Sequence, residues 1–93
     1  MAFTPLSIAA QFGHVQEVLA LIEAGADINV CNHIGWTPLS MAAGNGHHET
    51  TVQILIEAGA DTNKASYSGM TPLSLATMKG HETILQMLTD LRI

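Results

Sequence analysis

The chain has 93 residues, enough for one domain, with 47% hydrophobic residues and a net charge of −5 from 3 basic and 8 acidic side chains. It has no basic cluster and no apolar run near the roughly 18 residues of a membrane span, so we expect no nucleic-acid and no membrane partner. A lone cysteine and the lack of a signal-peptide pattern predict an intracellular, cytoplasmic protein.

Three short motifs recur in the same order along the chain. Thr-Pro-Leu-Ser begins at positions 4, 37 and 71, and Gly-His begins at positions 13, 46 and 80, in both cases 33 and then 34 residues apart. Glu-Ala-Gly-Ala-Asp occupies 23–27 and 57–61. Self-similarity at this period is the signature of a repeat architecture.

Each Thr-Pro predicts a helix start, because the hydroxyl can accept from a free N–H of the first turn and Pro loses no donor there. These first helices are predicted near 5–11, 38–44 and 72–78. After each Gly-His turn, apolar residues at helical spacing predict second helices near 15–24, 48–58 and 82–91. A helix pair of this size cannot bury its apolar face alone, so the copies are expected to stack.

The repeated unit resembles the ankyrin repeat, whose T-P-L-H-x-A motif, Gly-His turn and G-A-D loop are matched here at 4–9, 37–42 and 71–76. The resemblance implies an α repeat solenoid. It would be one ankyrin-like domain over 1–93, with helix–turn–helix units at about 1–31, 32–65 and 66–93 and short β-turn fingers between them.

The chain departs from the ankyrin pattern in three respects. The His of T-P-L-H is Ser at Ser7, Ser40 and Ser74, so the longer-range hydrogen-bond network that uses that His is not expected here. The middle repeat has one extra residue, which we place beside His47. The Asp usual at the start of each finger is Asn32 in one finger and Ser66 in the other.

Four histidines recur at the turns before the second helices and raise the question of a metal site; they are His14, His47, His48 and His81. Packed helices lie about 8–10 Å apart, whereas each ligand of one Zn²⁺ must come within about 2.0–2.1 Å of the ion. We therefore expect no metal, and no other cofactor is indicated.

Catalytic patterns have less support still. Ser40 and His47 could be taken for a nucleophile and a base, but the helix-start motif already explains the serine. The sequence has no strained G-x-S-x-G turn and no phosphate loop. Nothing basic adjoins Cys31 to favour its thiolate. We predict no catalytic residues and no enzyme activity.

The ankyrin resemblance implies protein recognition, since partners of that family usually dock on the concave surface of finger tips and inner helices. Carried over by position, the predicted partner-binding residues are Phe12, His33, Ile34, Trp36, Asn45, Tyr67, Ser68, Met70, Met78 and Lys79. Aromatic residues and Met are enriched at the centres of interfaces. For Phe3 and Met70, packing against the neighbouring repeat stays an equal alternative.

The two ends of the predicted stack suggest an alternative function. Terminal repeats normally have polar outer faces, whereas Phe3 and Ile8 at one end and Leu91 and Ile93 at the other are apolar. They could fold back on the core or continue into a longer array. The chain could also be a self-associating structural or engineered scaffold, a homo-oligomer whose main partner is another copy of itself.

Overall fold

Helices dominate the computed structural model of the chain, which describes residues 4–32, 34–45 and 49–90, the side chain of residue 90 excepted. The helices are α1 (Pro5–Phe12), α2 (Val15–Glu23), α3 (Pro38–Asn45), α4 (Glu49–Glu57), α5 (Pro72–Lys79) and α6 (Glu82–Asp90). They begin and end within one residue of the predicted ranges, of which positions 48 and 91 lie outside the described residues. The predicted α class is confirmed, and the described residues contain no β-strand.

The repeated Thr-Pro-Leu-Ser motif forms a helix cap from its own side chains. The Ser7 N–H donates to Thr4 Oγ1 at 3.1 Å, and the Thr4 N–H donates to Ser7 Oγ at 3.1 Å. The cap recurs as hydrogen bonds from Ser40 N–H to Thr37 Oγ1 (3.2 Å) and from Ser74 N–H to Thr71 Oγ1 (3.1 Å). A cap of this kind contributes about 1 kcal/mol. The serine that replaces the family's histidine therefore acts within its own helix start.

The Gly-His turns reverse the chain so that the second helix of each pair packs on the first. Gly13 and Gly80 adopt left-handed φ values of 69° and 73°, which a side chain would strain. The following N–H groups then reach back across the turn, from His14 to the Ala9 carbonyl (2.9 Å) and from His81 to the Ala76 carbonyl (3.0 Å). The middle turn, with the extra residue predicted beside His47, lies outside the described residues.

The helices pack in two layers. The inner layer is α1, α3 and α5, each against the next, and the outer layer is α2, α4 and α6 in the same order. Helix α3 is the most deeply buried because α1 and α5 cover it from both sides; every residue from Pro38 to Gly44 is buried. The core between the layers comprises Leu6, Ala9, Ala10, Val18, Leu39, Ala42, Ala43, Val52, Leu55, Ala76, Ile84 and Leu88. Its alanines let neighbouring inner helices approach closely.

Candidate functional site

The first finger is a tight turn between α2 and α3, built around a buried asparagine. The Asn32 N–H donates to the Trp36 carbonyl and the Gly35 N–H donates to the Asn32 carbonyl, each at 2.9 Å. The side-chain Oδ1 of Asn32 accepts from the N–H groups of Ile34 and Trp36, both at 3.0 Å. Asn32 is only 5% exposed. Its amide oxygen thus supplies the acceptor that the Asp of the ankyrin pattern would have provided.

The second finger, between α4 and α5, has the same backbone geometry with a serine in place of the asparagine. The Ser66 N–H donates to the Met70 carbonyl at 2.8 Å, and the Gly69 N–H donates to the Ser66 carbonyl at 2.9 Å. Ser66 Oγ accepts from the Met70 N–H at 3.1 Å and lies 3.1 Å from Ser68 Oγ. The exposed Ser68 is therefore held by the turn to which it belongs.

The two fingers are joined directly to each other. The Tyr67 N–H donates to the Ile34 carbonyl at 3.1 Å. This approach requires glycine at position 35, because its φ is +87° and a Cβ there would lie 2.8 Å from the Tyr67 nitrogen. Further along the same loops, the Asp61 N–H donates to Asn29 Oδ1 at 2.7 Å. The fingers consequently have a defined position relative to each other.

A side-chain contact also crosses from one finger to the other. Cys31 Sγ lies 3.9 Å from Tyr67 Oη. The hydrogen bond to Cys31, and secondarily the charge of its thiolate, raise the pKa of the Tyr67 phenol above its usual value. Tyr67 is otherwise 76% exposed. Its ring is thus anchored at the hydroxyl while most of its surface faces solvent.

We define the inner face as the predicted partner-binding residues on the two fingers and the inner helices. Phe12, Ile34, Tyr67 and Met78 are its exposed large apolar side chains, and Asn45, Ser68 and Lys79 are its exposed polar ones. Trp36 and Met70 are half-buried. His33, the remaining predicted residue, lies outside the described residues, as does Phe3.

Trp36 lies over the inner helix α3. Its Cζ3 atom is 3.7 Å from the point that a Cβ of Gly44 would occupy, so the indole packs where α3 carries no side chain. Contact with the helix leaves the ring partly exposed. Trp36 therefore packs on the inner helix of its own repeat and still contributes surface.

Local contacts also restrain one polar and one aromatic residue at the ends of the inner helices. Asn45 Nδ2 donates to the Met41 carbonyl at 2.7 Å, which ties the side chain to its own helix. The Phe12 ring stacks on His14, with centroids 6.0 Å apart and planes at 30°. Both side chains thus have a defined orientation before any partner arrives.

Charge is distributed unevenly between the two layers. The described acidic side chains lie on the outer helices or in the loops that follow them, and they are Glu17, Glu23, Asp27, Glu49, Glu57, Asp61 and Glu82. Of the inner-face residues that the structure describes, only Lys79 carries a formal charge. This surface is accordingly apolar and nearly neutral, whereas the outer layer is acidic.

The histidines, cysteine and carboxylates that the structure describes do not converge. Within residues 4–32, 34–45 and 49–90, no group of three or more His, Cys, Asp or Glu side chains is placed to hold a metal ion. His14 Nδ1 lies 3.6 Å from Glu17 Oε1, an exposed pair that contributes little to stability. None of the helices in the same ranges combines the length and the apolar character that crossing a membrane requires.

The sequence alone did not reveal the contacts between the fingers. Tyr67 and Ile34 are separated by 33 positions, and no motif links them. The only available signal was the repetition of a glycine near each finger tip, Gly35 and Gly69, which indicates equivalent turns but not that the turns touch. The motifs predicted which residues lie on the fingers and inner helices, whereas the hydrogen bonds between the fingers were not predictable.

Known proteins share this repeat pattern. A family model described as ankyrin repeats (3 copies) matches residues 3–93. A probable E3 ubiquitin-protein ligase XBOS33 of Oryza sativa subsp. japonica is 48% identical over 46 residues, which is 50% of this chain and 9% of that protein. The ARF GTPase-activating protein Git of Drosophila melanogaster is 42% identical over 45 residues, 48% of this chain and 6% of that protein.

A third relative is named as a regulatory subunit. Protein phosphatase 1 regulatory subunit 12A of Mus musculus is 44% identical over 46 residues, 50% of this chain and 4% of that protein. In all three relatives the similarity covers about half of the chain and less than a tenth of the relative's own length. The likeness therefore concerns only a short segment of each of these proteins.

Proposed function

The chain belongs to the ankyrin-repeat family, and from that premise we propose that it is a non-enzymatic protein–protein interaction module that binds its partner through the inner face. We propose a single domain, with repeats at about 1–31, 32–65 and 66–93. The observation that carries the proposal is the exposure of Phe12, Ile34, Tyr67 and Met78, between 44% and 76%, on the fingers and inner helices where ankyrin-repeat partners dock. Large apolar and aromatic side chains are enriched at the centres of interfaces.

Preorganisation is the proposed mechanism of binding. The fingers are hydrogen-bonded to each other, Trp36 packs on α3, and Asn45 is tied to its own helix. Side chains that are already ordered lose little conformational entropy when a partner docks, so few anchors are needed for affinity. We expect Trp36 and Tyr67 to be these anchors, since Trp and Tyr are the residues most enriched among binding hot spots.

Charge restricts the chemistry of the partner. The inner face has one described charge, on Lys79, and no described carboxylate. It therefore offers no negative charge to pair with a basic group of the partner that docking would bury. We therefore expect a partner segment that is mainly apolar where it meets Phe12, Ile34 and Met78. The ligase, GTPase-activating and phosphatase-regulating roles named for the relatives are not part of this proposal, which concerns docking alone.

A binding selection with matched variants tests the proposal. Peptides selected from a random display library on the immobilised chain would be measured against Trp36→Ala, Tyr67→Ala and Leu19→Ala. Leu19 is the control because it is 41% exposed on the outer helix α2. We expect each inner-face variant to weaken binding by about 2 kcal/mol or more, roughly 30-fold, and the control to leave it unchanged.

Thermal unfolding of the same variants separates binding from stability. We expect Trp36→Ala to weaken binding more than it lowers Tm. Tyr67→Ala gives a second result that does not involve the packing of Trp36, because the Tyr67 side chain is 76% exposed. Selected peptides that depend on Leu19 and tolerate both inner-face variants would place the interaction on the outer layer and refute the proposal.

A further inference from the structure

The first repeat exposes an apolar residue whose counterparts in the other two repeats are buried. Ile8 in α1 is 42% exposed, whereas the equivalent Met41 and Leu75 are 5% and 1% exposed. The difference arises because α1 covers α3 and α3 covers α5, while no described helix covers α1 from the other side. The exposed surface of Ile8 is therefore the same surface that forms the contact between repeats elsewhere in the chain.

The apolar residues beside Ile8 follow the same rule, and together with the Glu17 carboxylate they form a surface that we call the first end face. Pro5 is exposed and Leu21 is half-buried. Their equivalents are Pro38 and Pro72, both below 2% exposed, and Leu55 and Leu88, at 0% and 4%. A cavity of about 220 Å³ opens on this face between Pro5, Leu6, Leu21, Ala26 and Val30, with Thr4 and Asp27 at its edge.

The opposite end of the stack presents the complementary side of the inter-repeat contact, which we call the last end face. Leu73 and Leu85 are half-buried there, and Thr77 is exposed. Their equivalents are all at most 1% exposed: Leu6 and Leu39 for Leu73, Val18 and Val52 for Leu85, and Ala10 and Ala43 for Thr77. The last end face thus keeps two of the apolar contacts and replaces the small alanine with threonine.

The threonine hydroxyls on the last end face are compatible with burial. Thr77 Oγ1 donates to the Leu73 carbonyl at 2.8 Å, and Thr89 Oγ1 donates to the Leu85 carbonyl at 2.7 Å. A hydroxyl whose proton is already bonded within its helix loses no donor partner when another surface covers it. A cavity of about 350 Å³ at this end is lined by Glu82, Leu85, Gln86 and Thr89.

We propose that the last end face of one copy of this chain packs on the first end face of another, continuing the inter-repeat interface from chain to chain. The argument is continuity with an interface that the fold already uses twice, between α1 and α3 and between α3 and α5. A second copy supplies the complementary side, with Leu73 in the role of Leu39. The contact is head-to-tail, so it can propagate. It leaves the inner face free and goes beyond the proposed partner binding.

Glu17 opposes this packing and limits its strength. The carboxylate lines a second cavity of about 400 Å³ beside Pro5, Ile8 and Leu21, while the equivalent Thr51 and Ile84 are fully buried. Its described ion-pair partner is His14, 3.6 Å away, and both side chains are 61% exposed. Covering the carboxylate would remove water from it. The contact must therefore centre on Pro5 and Ile8, and Glu17→Thr should shift association to lower concentration.

Sedimentation equilibrium across micromolar to millimolar concentrations tests the proposal. The wild-type chain should rise above its monomer mass of 9.9 kDa as concentration increases, whereas Ile8→Glu should stay at that mass. Leu19→Glu is the matched control: Leu19 is 41% exposed on the outer helix, and its equivalents Gln53 and Gln86 are exposed polar residues. It introduces the same charge outside the end face and should associate like the wild type.

A mixing experiment tests the head-to-tail geometry. Thr77→Arg changes only the last end face, at an exposed position, and should be monomeric alone because every contact in the stack needs both faces. Mixed with Ile8→Glu, it should form a species of twice the 9.9 kDa monomer that does not grow further. Three results would each overturn the proposal. The wild type could stay monomeric, Leu19→Glu could lose self-association as completely as Ile8→Glu, or Thr77→Arg alone could form a dimer.

Discussion

Replacing Thr51 with valine should stabilise the protein. Thr51 is 0% exposed in α4, and among the described residues its hydroxyl has no hydrogen-bond partner. A buried hydroxyl without a partner costs roughly 1–3 kcal/mol in lost solvation. Valine has nearly the same shape and the same β-branch, so the packing should remain. The third repeat already buries an apolar residue, Ile84, at the equivalent position.

We expect Thr51→Val to raise the free energy of unfolding by about 1 kcal/mol, which corresponds to about 4–8 °C in Tm for a domain of this size. Urea denaturation followed by circular dichroism would measure it. Thr50→Val is the matched control, because Thr50 precedes Thr51 in the same helix and is exposed; it should change stability by less than about 0.5 kcal/mol. A loss above about 1 kcal/mol in Thr51→Val would show that the hydroxyl is hydrogen-bonded in solution.

Two predictions concern the fingers. Gly35→Ala should lower the free energy of unfolding more than Gly25→Ala. Both glycines have left-handed φ (87° and 88°), but only at position 35 would a Cβ lie 2.8 Å from the Tyr67 nitrogen. Equal losses in denaturant titrations would mean that the fingers are apart. Cys31→Ala should lower the pKa of Tyr67 towards its usual value, because it removes both the hydrogen bond and the charge that raise it. An ultraviolet titration of the single tyrosine would measure this, and an unchanged pKa would refute the contact.

Helix positions were predictable because their determinants are local. The hydroxyl of Thr4 and the N–H of Ser7 are three residues apart and meet in the first turn of any helix that starts there. The glycine of each Gly-His turn acts within the same few residues. The inner-face residues followed from their place in the motif, but the partial burial of Trp36 depends on α3, which packs against its ring.

By itself, then, the sequence determined the repeat, the helix starts and the residues that each repeat can present, since these depend on side chains close together in the chain. Only the tertiary structure decided how much of each repeated residue is exposed. Ile8 and Met41 occupy the same motif position, yet they are 42% and 5% exposed. Burial depends on whether a neighbouring helix covers the position, and Tyr67 meets Ile34 only because stacking places successive fingers side by side.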